Sequence, residues 1–282
     1  MKKGLVLEGG AMRGLFTAGI TDVLMENNIE FDGLIGVSAG AAFGCNYKSG
    51  QIGRSIRYNL KYCKDKRYSS FYSLIFTGNF YGADFCYHQI PDKLDVFDRK
   101  AFLENPMEFH IVCTDILTGK PIYRKCENMD YETLEWMRAS ASLPLLSRIV
   151  KINGYKLLDG GITDSVPLKY FESIGYEKNI VILTQPLGYQ KKPSRFTKMI
   201  KLTHSKYPAL IKAMENRHIM YNDTLEYIRQ QELAGKTLVL RPEKSLPINR
   251  TENEPHLLQE VYDIGRQTAK ENLEKIIEFL KD

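Results

Sequence analysis

The sequence predicts an α/β protein, a three-layer α/β/α arrangement around a mainly parallel central sheet with a mostly helical C-terminal extension. Three observations carry this reading. Short apolar runs at residues 4–8, 32–37, 108–113, 155–158, 179–184 and 237–241 alternate with helix-period stretches, the pattern of parallel strands joined by crossover helices. Several of these runs pass straight into glycine-containing turns, so the turns fall at strand C-termini, where ligands of open α/β sheets bind. With 282 residues and 43% hydrophobic content, the chain has ample apolar material for one large α/β domain with an appendage. We expect a core domain over 1–188 and a helical extension over 189–282 packed on it.

The first element, Lys3-Gly4-Leu5-Val6-Leu7-Glu8, reads as a short buried strand. It leads into Gly9-Gly10-Ala11-Met12-Arg13-Gly14 and an apolar-periodic helix through Phe16, Ile20, Val23 and Leu24. Such a loop presents backbone N–H groups at a helix N-terminus, where the dipole favours negative charge, and so suits a phosphate or an oxyanion. A dinucleotide is one reading, since Glu30 and Asp32 stand about where a ribose-binding acid follows such a loop. Two features oppose it. Ala11 takes the place of the second glycine of G-x-G-x-x-G, and the next strand ends in a serine rather than an acid.

That next strand is Phe31-Asp32-Gly33-Leu34-Ile35-Gly36-Val37-Ser38-Ala39-Gly40, an apolar run that enters G-x-S-x-G and then Ala41 and Ala42. Strand, glycine-flanked serine, helix is the order of a nucleophile elbow, with Gly36 and Gly40 keeping the flanks free of a Cβ. Ser38 is the candidate nucleophile. Beyond it, Lys48, Arg54, Arg57, Lys61, Lys64, Lys66 and Arg67 share their segment with one acid, Asp65, and an aromatic-rich stretch from Tyr68 to Tyr87 follows. Basic residues beside aromatics suit an anionic membrane interface, and residues 66–98 suit a mobile cover over a binding site; a solvated basic helix and a packed aromatic loop would give the same pattern.

His110 falls in the expected strand at 108–113. Arg138-Ala139-Ser140-Ala141-Ser142-Leu143-Pro144 follows further on, and then the strand ending in Leu157-Leu158-Asp159-Gly160-Gly161, which delivers Asp159 to a tight Gly-Gly turn. Asp159 is the candidate general base. From Tyr189 the chain turns basic and polar, becomes helical through Leu210 to Glu232, adds a short strand at Thr237-Leu238-Val239-Leu240, and ends in an amphipathic helix carrying Leu257 to Leu280.

Together, Glu8-Gly9-Gly10-Ala11-Met12-Arg13-Gly14, Gly36-Val37-Ser38-Ala39-Gly40, Asp159-Gly160-Gly161 and the R-A-S-x-x-x-P segment at Arg138 resemble the signatures of the patatin-like phospholipase family, over about residues 4–185. The resemblance implies a patatin-like fold and lipid acyl hydrolysis by a Ser-Asp dyad, Ser38 and Asp159, with the loop of Gly9, Gly10, Ala11, Met12, Arg13 and Gly14 as oxyanion and substrate-binding loop. We expect no metal and no cofactor, since no carboxylate cluster in the sequence resembles a calcium loop. One departure is Ala11, where the family usually has a third consecutive glycine; alanine supplies the same N–H where the local φ suits an L-residue.

The residues themselves make a dyad chemically sensible. Ser38 needs a base during attack on an ester carbonyl, and the tetrahedral oxyanion needs preplaced donors. A carboxylate is a weak base, so it requires a partly dry site that raises its basicity, or a strong oxyanion hole. A Ser-His-Asp triad is the alternative, with His204, His218 and His256 in the order serine, acid, histidine, yet none stands at a strand end or beside glycine. A non-catalytic lipid-binding or regulatory module on the same scaffold is the competing class, favoured by Ala11 and opposed by the presence of both Ser38 and Asp159. The net charge of +5 suits acidic surfaces, while no nucleic-acid motif is present. Five cysteines without a C-x-x-C pair frame neither disulfides nor a zinc site, and Glu8 ends the N-terminal apolar run too early for a signal peptide. We expect a cytoplasmic protein with peripheral membrane contact, a lipid or ester substrate and no nucleic-acid partner.

Overall fold

The computed structural model describes residues 1–281; Asp282, the last residue of the expected extension, lies outside them. Among the described residues, one sheet is formed by β1 (Lys2–Leu7), β2 (Gly33–Val37), β3 (Glu108–Asp115), β4 (Lys120–Cys126), β5 (Val150–Ile152), β6 (Tyr155–Asp159), β7 (Tyr176–Ile182) and β8 (Thr237–Leu240). Its order is β5-β6-β3-β2-β1-β7-β8, with β4 paired to β3 off that path. The β3-β2-β1-β7-β8 run is parallel; β4 and β6 run against β3, and β5 against β6. The protein is therefore α/β with a mostly parallel sheet, as the alternating pattern predicts.

The helices are α1 (Gly14–Glu26), α2 (Ala39–Lys48), α3 (Arg54–Tyr62), α4 (Phe71–Thr77), α5 (Arg99–Glu104), α6 (Tyr131–Ser140), α7 (Leu168–Ser173), α8 (Thr197–Thr203), α9 (Pro208–Leu233), α10 (Pro255–Glu271) and α11 (Leu273–Leu280). A π-helical stretch spans Phe85–Leu94, and 3-10 turns span Ala11–Arg13 and Gly160–Ile162. Strand residues alternate between two apolar cores. Leu5, Leu7, Leu34, Ile111 and Ile180 enter one with Phe16 of α1, Ala41 of α2, Trp136 of α6 and Val261 of α10. Val6, Ile35, Val112 and Val181 enter the other with Leu168 and Phe171 of α7 and Ile228 of α9. Both sheet faces are covered, which is why these strands read as continuous apolar runs rather than alternating ones.

Residues beyond 188 are woven into the body. β8 extends the sheet beside β7, pairing Leu238 with Ile180. On α10, the Tyr262 hydroxyl donates to Asp22 Oδ2 of α1 at 2.6 Å, and Arg266 forks onto Glu26 with both N–O distances 2.8 Å. The terminal apolar pattern, which reads as one helix, is two, because the chain turns at Asn272, whose N–H closes back onto Thr268 and Ala269. Two strands carry little signal in the sequence. β4 is half exposed, and β5 has three residues, so neither shows a buried apolar run.

β3 positions the site. β4 occupies one edge of β3 from Phe109 to Asp115. The other edge is shared end to end, β2 pairing with Glu108 to Val112 and β6 with Cys113 to Asp115. β2 runs with β3 and β6 runs against it, so their C-terminal ends meet head-on. Val37 lies opposite Val112, and Asp159 opposite Cys113, the next residue. The residue that follows Val37 is thereby carried to Asp159 by sheet register alone.

Candidate active site

Ser38 sits at that junction with φ 55° and ψ −122°, a backbone conformation an L-residue adopts only at a cost of about 1–3 kcal/mol and only when its surroundings hold it there. The surroundings do so. The Ser38 carbonyl accepts the first N–H bonds of α2, from Ala41 and Ala42 at 3.0 Å. The Ser38 N–H donates to Ser140 Oγ at 2.9 Å, and that hydroxyl donates onward to the Val112 carbonyl at 2.6 Å. The flanking glycines are sterically required, since a Cβ on Gly36 would lie 2.6 Å from the backbone of Ala41 and one on Gly40 would lie 2.6 Å from the Leu7 carbonyl oxygen. Ser140 is fully buried, so Ser140→Ala strands both the Ser38 N–H and the Val112 carbonyl. Its expected cost is about 1–3 kcal/mol, read by denaturant unfolding, whereas Ser142→Ala, whose hydroxyl caps only the Arg138 carbonyl, should cost less.

The glycine loop closes one side. β1 hands its last hydrogen bond to Glu8, whose N–H donates to the Ile182 carbonyl at 3.1 Å. Gly9 backs onto the elbow, and Gly10 caps the 3-10 turn Ala11–Arg13, with the Arg13 N–H returning to the Gly10 carbonyl at 3.2 Å. The N–H groups of Gly10, Ala11 and Met12 open that turn, where a helix start leaves donors without intrahelical partners. Ala11 has φ 51°, in the left-handed region, and Gly14 lets α1 approach Ala39 of α2. Ala11→Gly is accordingly expected to relieve about 1 kcal/mol of strain and to raise the melting temperature.

Asp159 is 2% exposed. Its Oδ1 accepts the Gly161 N–H at 2.7 Å, its own N–H donates to the Ser142 carbonyl at 2.7 Å, and Thr114 Oγ1 donates to its carbonyl at 2.8 Å. Burial pushes its pKa up. The charge of Arg217, the Ser38 hydroxyl, the Gly161 N–H and Arg250 pull in the opposite direction without cancelling that rise. Gly160 follows directly, its Cα packed against the Val112 carbonyl.

Ser38, Ala11 and Leu143 border two cavities of opposite character. The first, about 110 Å³, is apolar and runs between Met12, Phe43, Tyr87, Ile90, Met137 and Leu146. Residues of the 66–98 segment, among them Tyr68, Tyr81 and Cys86, wall it. The second, about 30 Å³, is polar and lined by Glu8, Gly9, Gly10, Arg13, Asp159, Gly161, Ser165, Lys191, Arg217, Tyr221 and Arg250. No histidine is among the residues lining either cavity. His110 lies in β3 beside Glu108, His88 bonds Glu135, and His204 bonds Thr203. Among the described residues no group of three or more His, Cys, Asp or Glu side chains gathers as a metal site.

Sequence reasoning brings forward the loop, the elbow and Asp159 but passes over the polar residues around them. Ser140 sits inside the noted R-A-S segment without a role, Lys191 is one of a basic run, and Arg217 and Arg250 carry no local signal. Of the basic run at 48–67 only Lys48 and Arg54 are buried, the Lys48 ammonium lying 4.5 Å from the Phe102 ring centroid and Arg54 pairing with Asp95, whereas Arg57, Lys61, Lys64, Lys66 and Arg67 stay exposed, Arg57 pairing with Asp95, Lys64 with Glu254 and Arg67 with Asp65.

The chain is similar to several known proteins. A family model described as patatin-like phospholipase matches residues 5–172, and one described as a domain of unknown function matches residues 207–281. An uncharacterized protein of Escherichia coli (strain K12), YjjU, is 27% identical over 280 residues, covering 93% of this chain and 74% of that protein. Lysophospholipase nte1 of Aspergillus terreus is 24% identical over 300 residues, covering 97% of this chain but 18% of its own length. The crystal structure of VipD from Legionella pneumophila aligns with 97% of this chain and 67% of that one at 12% identity and a TM-score of 0.49. With more than half of its length matched by that first model, the chain belongs to the patatin-like phospholipase family.

Proposed function

We propose that the protein is a serine lipid acyl hydrolase acting on carboxylic esters through a Ser38–Asp159 dyad. The observation that carries the reading is the strained Ser38 beside buried Asp159, bordering an apolar cavity of about 110 Å³. In this mechanism Ser38 Oγ attacks the ester carbonyl carbon as its proton passes to Asp159. The carbonyl oxygen becomes an oxyanion met by the N–H groups of Gly10 and Ala11. The bond to the leaving alcohol then breaks, the alcohol taking the proton from Asp159 and the acyl group remaining on Ser38. Water attacks that acyl group, Asp159 accepts the water proton, and the proton returns to Ser38 Oγ as the fatty acid departs. No step requires a metal or a cofactor.

The acyl chain would lie in the apolar cavity. The chain spans a small part of the lysophospholipase it matches, so that relative's activity enters here only as support for a lipid substrate. A lipid surface has a place to touch, because α4 turns Phe71, Tyr72, Ile75 and Phe76 outward, each at least 60% exposed. No helix among the described residues is long and apolar enough to cross a membrane. The five free cysteines suit a reducing, cytoplasmic setting.

The test is covalent labelling with a fluorophosphonate, read by intact mass, on the wild type and on Ser38→Ala. One adduct on the wild type and none on the variant is the expected result. A folded wild type that takes no adduct would overturn the hydrolase reading in favour of a lipid-binding module.

A further inference from the structure

The polar cavity beside Ser38 contains more positive charge than its own acids balance. Arg13 comes from the glycine loop, while Lys191, Arg217 of α9 and Arg250 come from the chain beyond residue 188. Two acids face them, Glu8 and Asp159. Glu8 is already engaged, accepting from the Thr184 N–H at 2.5 Å and from the Tyr221 hydroxyl at 2.6 Å. Asp159 is held by Gly161 and has the proton-accepting role proposed above. None of the four cations forms a contact ion pair among the described residues. Arg13 Nε is buried without a hydrogen-bond partner, Arg217 Nε donates to the Gly161 carbonyl at 2.6 Å, and the Lys191 ammonium lies over the Tyr221 ring at 4.0 Å.

The cations weaken one another. Burial first, and then Arg217 and Arg250, lower the Lys191 pKa to about 7, against the smaller opposing pull of Glu8. Burial likewise lowers Arg13 and Arg217, with Arg250 adding to the fall in both. Like charges held this close in a partly dry cavity are stabilised when an anion joins them. Guanidinium forks in particular match the oxygens of a phosphate.

Resting on the hydrolase reading, we propose that this cluster binds the phosphate of the substrate's alcohol portion, so that the enzyme prefers single-chain acyl esters whose glycerol ends in a phosphate monoester. The placement follows from Ser38, which borders both cavities: with the acyl chain in the apolar one, the leaving alcohol points into the cationic one. Three guanidinium groups, with a lysine that a bound phosphate would hold protonated, suit a dianion. A choline attached beyond a phosphodiester would instead set its positive charge against exposed Arg250 at the rim. The specificity of the patatin-like core is thus supplied by the C-terminal segment.

The experiment compares 1-lauroylglycerol-3-phosphate, 1-lauroylglycerophosphocholine and 1-lauroylglycerol, all below their micelle-forming concentrations, on the wild type, Arg250→Gln and Lys191→Gln. The wild type should show kcat/KM at least tenfold higher for the phosphate monoester than for the other two. Both variants should lose most of that ratio, chiefly through KM for the monoester. Arg250 lies exposed in a loop, so its substitution leaves the fold undisturbed. A wild-type ratio near one, or a ratio unchanged in both variants, overturns the proposal. Competitive inhibition by inorganic phosphate together with a ratio near one would identify a free-anion site and overturn it equally. Calorimetry with the non-hydrolysable ethers 1-O-dodecylglycerol-3-phosphate and 1-O-dodecylglycerol separates this proposal from the hydrolase reading. Tenfold tighter binding of the phosphate ether in a protein that hydrolyses nothing would retain the anion site and remove the dyad, whereas hydrolysis with equal ether binding would do the reverse.

Discussion

Asp159→Asn is expected to lower kcat for ester hydrolysis by about 10²–10⁴-fold, the usual worth of a positioned general base, in a protein that remains folded. Asparagine keeps the oxygen that accepts the Gly161 N–H and the backbone bonds to Ser142 and Thr114, so the turn at the strand end is preserved. It loses the capacity to take the Ser38 proton and the negative charge that faces Arg217. Stability should move the other way. Asp159 has its folded pKa raised by burial, so its contribution to stability is fully present below the unfolded carboxylate value and is lost as pH rises through the folded one. Above its folded pKa the ionised group is a burden that asparagine removes, so the melting temperature of the variant relative to the wild type should rise with pH and the gap narrow as pH falls. The same shift sets the acid limb of activity. With a carboxylate base, kcat/KM should fall on acidification along a single limb displaced upward from the ordinary Asp range. Turnover in folded Asp159→Asn at the wild-type rate would remove Asp159 from the mechanism.

What the sequence revealed and what it hid differ in physical kind. Ser38 and Asp159 were legible because each stands in a local backbone device, a strained elbow and a strand-end Gly-Gly turn, whose requirement for small flanking residues is written within a few positions. The strands β1, β2, β3 and β7 were legible because burial on both faces leaves no polar alternation. β4 was not, since its half-exposed residues Lys120, Tyr123, Arg124 and Lys125 read as a polar connection until β3 supplies the pairing. The cationic cavity was hidden for another reason. Arg13 stands in the glycine loop read from the sequence, but Lys191, Arg217 and Arg250 are dispersed over the last third of the chain, and each of those three in isolation resembles a solvated surface charge. Only the seating of β8 and α9 on the core gathers them. The break between α10 and α11 escaped notice because the apolar spacing continues across Asn272 while the backbone turns.

Gly160→Ala should be the most damaging change of a single methyl group near the site. The head-on meeting of β2 and β6 along one edge of β3 leaves no space behind Asp159, and a Cβ at Gly160 would stand 2.2 Å from the Val112 carbonyl oxygen and 2.6 Å from its carbon. These are backbone atoms of the central strand, and the same carbonyl already accepts from Ser140. Relief therefore demands moving β3 or tilting the turn away, and either motion separates Asp159 from Ser38. Overpacking of this severity is expected to cost about 3 kcal/mol or more in unfolding free energy, with hydrolysis and fluorophosphonate labelling falling together. Gly235→Ala is the matched control. Gly235 has φ 72° and open space around its Cα, so alanine there meets only the left-handed backbone penalty of about 1–2 kcal/mol and should leave labelling intact. If Gly160→Ala unfolds no more readily than Gly235→Ala and still labels at the wild-type rate, then sheet register is not what holds the serine and the carboxylate together, and the elbow alone must be positioning Ser38.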